Sequence, residues 1–131
     1  MTPSSHRKHF SRAWLLAPAT IVALGLIAAG IFAVLNRTNG SILSGGERRS
    51  YLVHVPPSYT PGTPVPLVIS MHGFAGWPAR QAESTHWNQL ADEEGFIVVY
   101  PAGTSFPMRW SSHQLPGAAD VSMKDVVFIS D

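Results

Sequence analysis

From Ala13 to Leu35 the chain runs for 23 residues without a charge, and no other feature narrows its options as much. At about 1.5 Å per helical residue the run reaches roughly 30 Å or more, enough to cross the hydrocarbon core of a bilayer. Pro18 falls in the first turns, where a helix tolerates it best, and Gly25 and Gly30 are ordinary in membrane helices. A cleaved signal peptide has a shorter apolar region, about 7–15 residues, followed by a small-residue cleavage site. Phe32-Ala33-Val34-Leu35-Asn36 offers no such site, so an uncleaved anchor is the leading reading and a cleaved signal the alternative. A buried helix of a soluble protein fits least well. Arg7, Lys8 and Arg12 on one side outweigh Arg37 on the other, so the N-terminus is expected inside and everything after Leu35 outside.

The 96 residues after Leu35 have a different character. They hold nine of the eleven prolines and three of the four tryptophans, with six basic residues against eight acidic ones. With no basic cluster beyond the N-terminus, nothing suits the phosphate backbone of a nucleic acid. The absence of cysteine rules out disulfides, thiolate metal sites and a cysteine nucleophile. No His/Asp/Glu spacing suggests converging ligands, so neither a metal nor another cofactor is expected. Asn36 to Ser41 and Ser44-Gly45-Gly46 are polar and glycine-rich and read as a linker. Asn36 and Asn39 each head an N-x-[ST] pattern, too common a match to carry a glycosylation site by itself.

Beyond Arg48-Arg49 the pattern turns to strands. Tyr51 to Val55 is β-branched and aromatic and is stopped by Pro56-Pro57. Leu67 to Met71 is apolar without alternation, which suits a strand buried on both faces of a parallel sheet. Pro78 to Glu94 reads as one helix, with Pro78 in its first turn, Trp87, Leu90 and Ala91 at helical spacing, and Gly95 at its end. Phe96 to Tyr100 is a further apolar strand, stopped by Pro101. A loop follows from Ala102 to Ala119. Ser122 and Asp125 are then spaced as a capping box for a helix containing Val126-Val127-Phe128-Ile129. Strand, strand, helix, strand, helix is an α/β order.

One short motif stands out for its position. His72-Gly73-Phe74 follows an apolar strand directly; glycine there lets the backbone turn tightly, and by itself a His-Gly pair in this position is usually just a turn. Around it, Tyr51 to Tyr59, Pro66 to Phe74, Leu90 to Pro101 and Asp125 to Ile129 are similar to successive blocks of the polyhydroxybutyrate depolymerase and feruloyl esterase-like family. The resemblance covers about Gly46 to Asp131. It implies an α/β-hydrolase fold and a serine ester hydrolase with a G-x-S-x-G nucleophile elbow, a later Asp and a later His. It also implies that His72, Gly73 and Phe74 form the oxyanion loop. The chain departs from the pattern in two places: it contains no G-x-S-x-G, and Phe74-Ala75 stands where many members carry a cysteine. In the family the elbow follows the helix that begins near Asp125, so the nucleophile, acid and base are expected beyond Asp131, in a missing C-terminal half.

The expected organisation is therefore a basic cytoplasmic N-terminus (1–12), a transmembrane anchor or long signal segment (13–35), a linker (36–46) and an incomplete α/β-hydrolase domain (47–131). The expected partners are a membrane and, once the domain is completed, a polyester or aryl ester. A catalytically inactive remnant, a membrane-anchored interaction segment and a peptidase-type α/β hydrolase are the rival readings. Among the other polar residues, His54 and His86 are expected in structural or surface roles. Trp110 and His113 are candidates for a pocket rim, and Asp120 and Asp125 for helix caps.

Overall fold

The computed structural model describes residues 13–111 and 119–131. The chain divides into two compact units, Met1–Ala33 and Val34–Asp131. Helix α1, Ala13–Leu35, contains Pro18 and carries no acidic residue in its first turn and no basic one in its last. Its Pro18–Leu35 stretch has a mean hydropathy of 2.3, and none of it is buried within the protein. Length and composition suffice to cross a membrane, and a signal sequence meets the same description.

The second unit is built on a four-stranded mixed sheet of order β1-β2-β4-β3. The strands are β1 (Gly40–Ser44), β2 (Glu47–His54), β3 (Leu67–Ile69) and β4 (Ile97–Pro101). Antiparallel pairing joins β1 to β2 and β2 to β4, while β3 and β4 run parallel. The α/β class expected from the sequence is observed. Parallel pairing is confined to the one pair that helices connect, as a crossover requires.

Four local expectations are corrected. The polar stretch taken as linker contains β1, which turns through Gly45 and Gly46, at φ 54° and 79°, into β2. A ladder of backbone hydrogen bonds does not require apolar side chains, so composition hid the strand. For the same reason β2 begins at Glu47, before the β-branched residues that announced it. The strand after the first turn spans only Leu67–Ile69 and is not buried on both faces. It lies at the sheet edge, and Leu67, Ile69 and Met71 are exposed.

The single helix expected from Pro78 to Glu94 is two: α2 (Pro78–Thr85) and α3 (Trp87–Glu94), separated by His86 in the left-handed region at φ 56°. The hydroxyls of Ser84 and Thr85 both donate to the Gln81 carbonyl, a local bond that competes with the helical ladder and ends α2. Gly95 closes α3 as expected, at φ 75°, with its N–H bonded to Ala91 O.

Alternation along the strands divides the packing between the two sheet faces. One face carries Leu52, Val68, Val98 and Tyr100, which pack with Ala82, Ala91, Phe96 and Trp87 into the core. Trp87 meets Phe96 edge-on, with ring centroids 6.2 Å apart. The opposite face carries Tyr51, Val53 and Val99 and forms an open apolar groove with Phe128 and Ile129 of helix α4 (Ala119–Ser130). Ser122 and Asp125 both lie inside α4, past its start at Ala119, so Ser122 is not the residue that opens the helix. The side chains of Asp120 and Ser122 lie outside the described residues, as does His113.

Candidate active-site turn

After β3 the chain continues through Ser70, whose N–H still bonds Val99 O, and Met71 into His72-Gly73-Phe74. The turn thus leaves the C-terminal end of a strand that runs parallel to its neighbour. In α/β sheets ligands bind at that end.

His72 is the fixed point of the turn. It is 3% exposed, and both ring nitrogens are engaged. Nδ1 lies 2.7 Å from Gly73 O, and Nε2 lies 3.1 Å from the Gly103 N–H. A backbone N–H only donates and a carbonyl only accepts. The arrangement therefore specifies a neutral imidazole with its proton on Nδ1 and an accepting Nε2. Neither nitrogen is left over for proton transfer. His72 O accepts the Trp110 indole N–H at 2.7 Å, and the two rings lie 4.9 Å apart, tilted by 32°. Trp110 is thus a brace behind the turn and not a free rim residue.

Two further bonds close the loop. Gly76 N–H bonds Gly73 O at 3.0 Å, and Ala75, held at φ 56°, donates its N–H to Met108 O at 2.8 Å. Met108 belongs to a small hairpin pinned by reciprocal 3.0 Å bonds between Thr104 and Arg109. Space is tight on the inner side. A Cβ on Gly76 would stand 2.9 Å from the His72 Cβ, and one on Gly103 would stand 2.6 Å from Arg109 O. Among the described residues nothing accepts the Phe74 N–H, and the Phe74 side chain is 73% exposed.

The remaining candidates are not gathered at this turn. His54 Nε2 pairs with Asp92 Oδ1 at 2.7 Å on the surface, and His86 is an exposed helix junction. Asn39 uses its side-chain amide to bond the Val53 N–H and carbonyl, at 2.7 and 2.8 Å, which extends the β1–β2 ladder. Asp125 is no cap: it is buried in α4, paired with Arg49 at 2.6 Å and bonded to the Ser111 N–H. Arg49, Gly76 and Gly103 are residues around the turn that sequence reasoning passed over. Arg49 had a legible signal: it is in phase with Tyr51 and Val53, so the strand period places it on the same sheet face.

Two comparisons bear on this geometry. Residues 43–123 match the family described as "Putative esterase". Over 65 residues, half of this chain, the sequence is 42% identical to the bifunctional acetylxylan esterase/xylanase XynS20E of Neocallimastix patriciarum. The match spans about 9% of the length of that relative. Since the family match extends over more than half of its residues, and includes the whole of the His72 turn, this chain belongs to the esterase family.

Proposed function

We infer that these residues form the N-terminal part of a serine carboxylic-ester hydrolase of the polyhydroxybutyrate depolymerase and feruloyl esterase-like kind. The Phe74 main-chain N–H is one donor of its oxyanion hole. The observation that carries the reading is the turn after β3, where His72 is consumed in holding the loop while the Phe74 N–H is left without an acceptor. In the reaction a serine Oγ adds to the ester carbonyl, and the carbonyl oxygen takes the negative charge. A preorganised N–H stabilises that charge without reorganising. Collapse expels the alcohol, and water then cleaves the acyl-serine. The 131 residues contain no G-x-S-x-G, and on this reading the serine lies outside them. The outer edge of β3, unpaired among the described residues, supports a further strand there.

Acetyl esters of a polysaccharide are the first substrates to test, given the acetylxylan esterase relative. Polyesters and aryl esters follow from the family resemblance. The apolar helix serves as anchor or signal and places the hydrolase outside the membrane. A second reading is a segment that pairs with another chain through the edge of β3, which is unpaired among the described residues.

One experiment separates them. The 131-residue chain alone should hydrolyse no aryl acetate above a heat-killed control. The chain extended by an in-frame continuation, or by the matching half of a relative, should turn over. In that extended protein Phe74→Ala keeps the amide and should lose little. Phe74→Pro removes the donor and should lower turnover by about 10²–10³, with His72→Ala falling between. If a folded Phe74→Pro variant is as fast as Phe74→Ala, the oxyanion assignment fails.

A further inference from the structure

The turn does not account for a buried ion pair lying behind it. Arg49, on β2, and Asp125, on α4, have side chains only 4% and 8% exposed, with Arg49 Nη2 2.6 Å from Asp125 Oδ1. The guanidinium also donates to Ala102 O at 3.4 Å and Lys124 O at 3.3 Å, and it lies 4.2 Å from the centre of the Phe128 ring. The second carboxylate oxygen of Asp125 accepts the Ser111 N–H at 2.6 Å.

Each member of the pair ends beside a residue that grips His72. Ala102, held by Arg49, precedes Gly103, whose N–H bonds His72 Nε2. Ser111, held by Asp125, follows Trp110, whose indole bonds His72 O. The two routes meet on one residue, one at its ring and one at its carbonyl. Stability alone is a poor reason for such a pair, because desolvation offsets most of the attraction, and apolar replacements are often neutral or better. Its distinctive product is geometry.

We propose that Arg49 and Asp125 are a positioning pair for the oxyanion turn: together they fix the two segments that clamp His72, and so set the direction of the Phe74 N–H. The catalytic meaning rests on the esterase reading above. The mechanical coupling does not, and it is measured without turnover.

The test uses the whole 131-residue chain in detergent micelles, with ¹⁵N-labelled histidine and tryptophan. In the wild type, the Trp110 indole N–H and a His72 ring protonated on Nδ1 should each give one distinct signal. Arg49→Lys and Asp125→Asn should both move the Trp110 indole signal and mix the His72 tautomers, while the Trp77 and Trp87 indoles stay in place. The double variant Arg49→Met/Asp125→Leu guards against simple unfolding, since it fills the space with apolar side chains. It should keep the Trp77 and Trp87 signals and still lose the Trp110 and His72 signatures. Unchanged Trp110 and His72 signals in that double variant would overturn the proposal. Collapse of the Trp77 and Trp87 signals in it would do so too, because the pair would then hold the fold and not one loop. A coupling that appears as expected, in a protein whose extended form hydrolyses no ester, would refute the esterase reading and leave the positioning intact.

Discussion

At the scale of single residues, the turn depends on atoms that are absent as much as on those present. Gly103 is the sharpest case, since it gives its N–H to His72 Nε2 while its α-carbon faces Arg109 O. Gly103→Ala would place a methyl 2.6 Å from that backbone oxygen and 3.1 Å from the His72 Cε1, and neither neighbour is a flexible chain end. Overpacking of this kind costs about 1–3 kcal/mol. The expected result is a lower urea midpoint together with loss of the His72 ring signature. Tyr100 makes a different prediction. Its ring is fully buried, its hydroxyl donates to Asn88 Oδ1 at 2.7 Å, and burial pushes its pKa above the ordinary 10.0. The raised value makes the neutral form the folded form. That contribution is complete below pH 10 and is lost as pH rises from there through the folded-state value. Tyr100→Phe should cost about 1 kcal/mol near neutrality. Its deficit against the wild type should shrink in alkaline urea titrations. A deficit that stays constant with pH would show that the phenol does not titrate on unfolding.

At the scale of elements, what the sequence made legible follows from which signals are local. The apolar runs at Leu67–Met71 and Phe96–Tyr100 and the glycine after Glu94 announced β3, β4 and the end of α3. His72-Gly73-Phe74 was visible because a strand precedes it. β1 was hidden because its pairing with β2 is a property of two segments, and neither Ser41 nor Ser44 advertises it. Asp125 was misread because its spacing from Ser122 imitates a cap, whereas its partner Arg49 is 76 residues away. The division of α2 from α3 is the local feature with the clearest energetic consequence. A non-glycine residue in the left-handed region costs on the order of 1 kcal/mol, and His86 bears that cost at φ 56°. His86→Gly should therefore match or exceed the wild type in urea stability. His86→Val, whose branched side chain suits this region least, should fall below it by about 1 kcal/mol or more. Equal stability for the two variants would mean that the junction relaxes into one continuous helix.

For the whole molecule, the charges flanking the apolar helix set the expected topology. The second unit begins at Val34, so its first residues lie close in sequence to the end of the apolar helix. An anchor ending at Leu35 would leave four residues before β1. Three basic residues before the helix, against Arg37 just after it, set the expected orientation with the esterase unit outside. Protease added to intact cells should then digest the polypeptide after Asn36 and spare an epitope placed before Met1. Moving the charge should move the topology: replacing Arg7, Lys8 and Arg12 with Asn while adding lysines after Asn36 should shelter the unit from protease. If the unmodified unit is protected, the orientation is reversed. If it is recovered in the medium without residues 1–35, the helix is a cleaved signal and the unit is secreted rather than tethered. Whether the unit is digested on the cells, protected inside them or recovered in the medium separates the three results.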